Sequence, residues 1–136
     1  MAEETQRMMY EARVYGEQLR LLQNEIERIN MTAMELESSL RAVEALREEQ
    51  IFVPIGAGAM MGAKLSSTEV LMPVGAGYMT GMKKHEAIEE IKKRMQTTQG
   101  AMEKLRAEFE KINAKLYEVG GKIDAMNAKS RGQGGL

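Results

Sequence analysis

The sequence has no cysteine and no tryptophan, two prolines and one histidine, and aromatic residues make up only 4% of its 136 positions. Without cysteine there is no disulfide framework and no thiolate metal site. Zinc-type ligation is left without a donor set, so neither a metal nor a cofactor is expected. The missing thiols agree with a cytoplasmic address. So few aromatics argue against a conventional compact core, because Phe, Tyr and Trp normally dominate core burial. The longest apolar run falls far short of the roughly 20 residues a membrane span needs. Residues 3–7 are polar, unlike the opening of a secretory signal, and no membrane partner is expected. A formal charge of -1 shows no basic excess, which argues against a general nucleic-acid binder.

What is present divides into three parts. Residues 1–50 carry 11 Glu against 6 Arg and no Lys, a net of -5. Residues 51–83 carry a net of +1, and residues 84–136 carry 11 basic against 8 acidic residues, a net of +3. The acidic first part and basic last part would attract if laid side by side, although exposed ion pairs contribute only about 0–1 kcal/mol each.

The first part has a strict apolar period. Met8, Ala12, Tyr15, Leu19, Leu22, Ile26, Ile29, Ala33, Leu36, Leu40 and Val43 follow one another at spacings of four and three. This is the a/d seam of a coiled coil. It predicts a helix over residues 4–49, about 70 Å long at the α-helical rise. In the last part Ile88, Ile91, Met95, Thr98, Met102, Leu105, Phe109, Ile112, Leu116, Val119, Ile123 and Met126 repeat the pattern. They predict a second helix over 85–129, ended by Ser130-Arg131-Gly132 and followed by a short flexible tail. Folding the chain back with Val43 facing Ile91 sets Leu36 beside Thr98, Ile29 beside Leu105, Leu22 beside Ile112, Tyr15 beside Val119 and Met8 beside Met126. The register closes without a stutter. So narrow a stripe suits a single partner helix. An antiparallel coiled-coil hairpin is therefore expected, with parallel pairing of each helix in a dimer as the competing geometry.

The middle part lacks a heptad and contains a repeat. Residues 51–64 align with 70–83 at an offset of 19, and seven of fourteen positions are identical. Each copy holds an apolar run with a proline (Pro54, Pro73), a Gly-x-Gly turn (Gly56-Ala57-Gly58, Gly75-Ala76-Gly77) and a second run. Each reads as a β-hairpin. The prolines require edge or bulged strands. Runs 51–55 and 70–74 are apolar on both faces, so two short hairpins need another subunit's strands or another packing partner. Three segments result: helix 1–50, hairpins 51–83 and helix plus tail 84–136. The fold class is mainly α with a small β part that joins an oligomeric body.

Chemistry is scarce. His85 stands in Lys84-His85-Glu86 at a helix start and reads as a surface residue. The glycine loops fit neither phosphate motif: Gly62 is followed by Ala63-Lys64-Leu65, and the third glycine of Gly56-x-Gly58 comes one place late for a dinucleotide fingerprint. A turn that recurs 19 residues later is hairpin geometry. No enzyme is expected. The 13 methionines read first as core filling, and secondly as an adaptable apolar surface where Met8, Met9 and Met126 meet, near Gly120-Gly121, which would let the coil end fray.

The order of long heptad helix, two hairpins and long heptad helix resembles the prefoldin alpha family along nearly the whole chain. Val53-Pro54-Ile55-Gly56-Ala57-Gly58, Ala63-Lys64-Leu65, Val74-Gly75-Ala76-Gly77-Tyr78, Glu86-Ala87 and Ile91-Lys92-Lys93-Arg94 carry the likeness. Two hairpins point to the alpha type, and the glycine-rich form looks more like archaeal than eukaryotic members. Met79-Thr80-Gly81-Met82 departs from the more β-branched, charged strand common there. The resemblance implies an ATP-independent holdase of two alpha and four beta subunits, a hexamer with a β-barrel body. Coiled-coil tips would hold non-native proteins and deliver them to a cytosolic group II chaperonin. On that reading Ile51, Val53, Ile55, Val70, Met72 and Val74 are the assembly residues. Met8, Met9, Ala12, Tyr15, Val119, Ile123 and Met126 are the client-binding tip. The rival expectation is a coiled-coil spacer without client binding, and an enzyme using the glycine loops is a distant third.

Overall fold

The computed structural model describes residues 2–47 and 49–134, with side chains as far as 132. Its elements are α1 (Ala2–Glu44), β1 (Gln50–Gly56), β2 (Ala59–Lys64), β3 (Val70–Gly75), β4 (Tyr78–Met82) and α2 (Lys84–Gly134). The strands form two separate antiparallel sheets, β1-β2 and β3-β4. This is the mainly helical architecture with two small hairpins that the periodicities predict.

The chain packs as two units, Met1–Met31 with Gln99–Leu136, and Thr32–Thr98. In the first, α1 and α2 run antiparallel along the expected seam. Met8, Ala12, Tyr15, Leu19, Leu22, Ile26 and Ile29 are half-buried, and Met102, Ile112 and Val119 are buried. Leu22 and Ile112, an expected facing pair, line one groove. The Thr5 hydroxyl lies 4.0 Å from the Met126 Sδ, one turn before Met8. The seam is two residues wide per heptad, so a single partner leaves most of its side chains only half covered. α2 runs unbroken through Gly120 and Gly121, because its backbone ladder absorbs their lower propensity.

In the second unit Val43, Met72, Ala87 and Ile91 form the core, ringed by Leu36, Leu40, Leu46, Val70, Met82, Ile88 and Met95. Val43 and Ile91 meet here as expected, and Leu36 and Thr98 line one pocket.

Two helix ends differ from expectation. α1 stops at Glu44, not 49. Leu46 folds back onto the core, its N–H bonding the Val43 carbonyl at 3.1 Å. The Glu49 carbonyl accepts from the Leu65 N–H at 3.3 Å, extending the first hairpin. Burial of Leu46 and strand pairing at Glu49 thus outcompete further helix. α2 continues to Gly134 instead of ending at 129. Arg131 in its last turn complements the helix dipole and favours the longer helix. Of the expected flexible tail, 135 and 136 lie outside the described residues.

The hairpins share one geometry. In the first, Phe52 pairs Gly62, Val53 pairs Met61 and Pro54 pairs Met60. In the second, Leu71 pairs Gly81, Met72 pairs Thr80 and Pro73 pairs Met79. The register slips between Pro54 and Gly56 and again between Pro73 and Gly75, so each proline sits at a bulged edge strand. The loops are Ala57-Gly58, with φ of 50° and 78°, and Ala76-Gly77, with φ of 51° and 79°. Two consecutive positive φ values are the two-residue turn whose twist matches a hairpin.

Candidate functional site

The two hairpins are covered unequally. In the β3-β4 hairpin the pleat turns Val70, Met72 and Met82 onto the helix core, and Met72 is 8% exposed. The opposite face holds Leu71 and Met79, at 63% and 57% exposed. Arg94 fastens this hairpin to α2: its Nη2 donates to the Pro73 carbonyl at 2.8 Å, while its Nε donates to Glu90 at 3.1 Å. Pro73 lies at the bulge, where the ladder is interrupted and a carbonyl is free to accept from outside the sheet. Lys84 makes a similar tie at the start of α2, its Nζ donating to the Leu46 carbonyl at 2.9 Å.

The β1-β2 hairpin has less support. Only Ile51 and Ala63, paired across it, are half-buried. Phe52 at 68%, Ile55 at 61%, Met60 at 55% and Met61 at 52% leave both of its faces open. Leu71, Val74 and Tyr78 of the other hairpin are likewise exposed, and exposed apolar side chains in such number on each hairpin are of the kind that marks a protein interface.

Of the expected assembly residues, Val53, Ile55 and Val74 are exposed, Ile51 and Val70 are half-buried, and Met72 is buried. The expected runs include Phe52 and Leu71, and Tyr78 lies in a hairpin mate, but the sequence pattern singles out none of them, nor Arg94. Runs apolar on both faces carry no sign of which face the helices cover. Arg94 has only one visible signal, its position four residues after Glu90 on a helix.

The expected tip residues lie together at one end of the first unit. Met8, Ala12, Tyr15, Ile123 and Met126 are half-buried, Val119 is 9% exposed and Met9 is 56% exposed. An open cavity of about 500 Å³ beside them is lined by Thr5, Gln6, Met126, Asn127 and Lys129. The seam is half covered, and of these seven residues only Met9 presents most of its side chain to solvent.

Electrostatics here are local. Ion pairs Glu17–Arg20, Glu25–Arg28, Glu90–Arg94 and Glu118–Lys122 run along single helices at spacings of three or four. The expected attraction between acidic and basic parts reaches no pair among these four. The Arg28 guanidinium, hydrogen-bonded to Glu25, holds that exposed carboxyl below the usual glutamate range. Among the described residues no cluster of three or more His, Asp or Glu side chains could hold a metal ion, and no helix is long and apolar enough to cross a membrane.

Comparison with known proteins decides the family. The model of the prefoldin subunit family matches residues 15–129, most of the chain. The chain belongs to the prefoldin family. A prefoldin subunit alpha of Methanococcus aeolicus is 40% identical over 70 residues, 51% of this chain and 49% of that protein. A prefoldin subunit alpha of Methanococcus vannielii is 25% identical over 144 aligned positions, 99% of each chain. Against the first relative, as against one from Methanococcus maripaludis at 37% identity, the matched stretch spans about half of the relative, 49%. Among solved structures, a filamentous PFD from Methanocaldococcus jannaschii superposes with a TM-score of 0.69 at 23% identity, covering 81% of this chain and 95% of that one. A prefoldin beta subunit from Thermococcus strain KS-1 gives 0.65 at 18% identity, covering 90% and 91%. At these identities the structures establish the shared prefoldin fold, and the relatives named alpha agree with the alpha-type resemblance.

Proposed function

We propose that this prefoldin chain is the alpha-type subunit of an ATP-independent chaperone, with no catalytic step of its own. Its hairpins join beta subunits, two alpha to four beta, in a cytoplasmic hexamer. The coil ends hold non-native proteins and pass them to a group II chaperonin. The observation that carries the reading is the apolar surface on both hairpins, Phe52 and Leu71 foremost, in a chain of this family. A client would be held by many weak apolar contacts summed over several coils. Two measurements test it: the mass of the particle formed with a co-expressed beta subunit, and the scattering of an unfolding client with and without that particle. Assembly with delayed aggregation supports the reading, and assembly without delay removes the holdase role. Polar substitutions at Met8, Val119 and Ile123 should weaken the delay while leaving the particle intact. An assembled variant as protective as wild type would remove those residues from client contact.

One observation favours a second reading, a structural spacer without client binding. Of the seven residues expected at the coil end, Val119 is buried, five are half-buried in the seam and only Met9 is mostly open to a client. The same scattering assay separates the two.

A further inference from the structure

We propose that Met60, Met61 and Met79 form an oxidation-sensitive modification site, where sulfoxide formation on the unassembled chain blocks subunit assembly. It rests on the assembly reading above. The chain has no cysteine, so the methionine thioethers are its main redox-active side chains, and 13 are present. They divide by environment. Met72 and Met102 are each 8% exposed, whereas Met60, Met61 and Met79 are 55%, 52% and 57% exposed on strands.

Their positions give the modification a consequence. Met60 faces Pro54, and Met79 faces Pro73 in the equivalent place of the second hairpin. Met60 and Met61 are consecutive in β2, so the pleat sends them to opposite faces. Oxidation there makes both faces of the less supported hairpin polar, along with the outer face of the other.

The reactant is a peroxide. The thioether sulfur attacks one peroxide oxygen and the O–O bond breaks. The sulfur becomes a sulfoxide, and hydrogen peroxide is reduced to water. The product is polar and reducible by methionine sulfoxide reductases. Buried in an interface without partners, its oxygen would cost desolvation that the thioether does not. In an assembled particle the same side chains would be shielded, so the site senses oxidant only while the subunit is free.

The test uses the full chain, hydrogen peroxide and a purified beta-type prefoldin subunit. Peptide mass spectrometry follows oxidation at each methionine, and light scattering gives the particle mass after mixing. Met60, Met61 and Met79 should oxidise several-fold faster than Met72 and Met102, and the oxidised chain should lose assembly. Met9, Met31 and Met34 are also exposed, at 56%, 63% and 62%, and will oxidise too. A M60L/M61L/M79L variant separates them by keeping its assembly after peroxide. As a check independent of any variant, pre-formed particles should oxidise more slowly at the three sites than the free chain. Equal assembly before and after oxidation, loss of assembly in the treated variant equal to wild type, or no protection in the particle would each overturn the proposal. Failure of the untreated chain to join beta subunits would overturn the assembly reading and this proposal with it.

Discussion

Replacing Ile91 by alanine should loosen the hairpin unit while sparing the distal coil. Ile91 is 1% exposed and packs in one cluster with Val43, Met72 and Ala87, which ties both helices to the second hairpin. The change removes three carbons, a transfer loss of about 2.4 kcal/mol at roughly 0.8 kcal/mol per methylene. Ala87 has no bulk with which to fill the space, so a cavity contribution adds to it and places the total at about 3–4 kcal/mol, inside the observed range for such truncations. With a urea slope of about 2 kcal/mol per M, the midpoint should fall by roughly 1.5–2 M in a circular-dichroism titration. Native-state hydrogen exchange should show the lost protection over residues 70–98 and little change over 105–126. A cost below about 1 kcal/mol, or loss spread evenly along α2, would refute the placement of the core at Ile91.

Other substitutions probe the turns, the tether and the charges. Gly58→Val and Gly77→Val put a β-branched side chain at φ of 78° and 79°, and each should cost at least about 1–2 kcal/mol in hairpin stability, read by hydrogen exchange of the strands. Arg94→Ala should raise exchange in β3 and β4 but not in β1 and β2, since its bond goes to Pro73 alone among the strands. Unchanged exchange in β3 would remove Arg94 as a tether. Glu25 should titrate below the usual glutamate value by NMR, and Arg28→Gln should bring it back. Because the folded carboxyl is depressed, its contribution to stability is present above the unfolded glutamate value and disappears as pH falls through the folded one.

The helical part of this fold is legible in the sequence because one physical constraint dominates it. A stripe at four- and three-residue spacing has one way to bury itself against a stripe of equal length, and Leu22 beside Ile112 is the pair that arithmetic gives. The turns are equally readable, since two Gly-Ala-Gly stretches, each beside a proline run, leave a bulged strand and a positive-φ loop as the economical solution. Which face of the second hairpin is covered is not readable. Val70 and Met72 turn inward and Leu71 outward, yet all three are apolar, and burial is decided by helices distant in sequence. The end of α1 escaped for a related reason: Glu44 to Glu49 keep good helix propensity, but Leu46 and the strand pairing of Glu49 and Gln50 win locally. At the coil end the heptad that identifies Met8 and Met126 also turns them toward the seam, where both are half-buried, while Met9, outside the heptad, stays exposed.

The central claim is that the hairpins' uncovered apolar faces exist to be covered by neighbouring subunits. The most direct test is the mass, by light scattering, of the particle that wild type and a Phe52→Ser/Leu71→Ser variant form with a purified beta-type prefoldin subunit. Both substituted side chains point away from the chain's own core, so the variant alone should keep wild-type helicity and stability. The account predicts a defined hetero-oligomer for wild type and separate subunits for the variant. Equal assembly by both chains, or a wild-type chain that stays alone beside its partner, would contradict it.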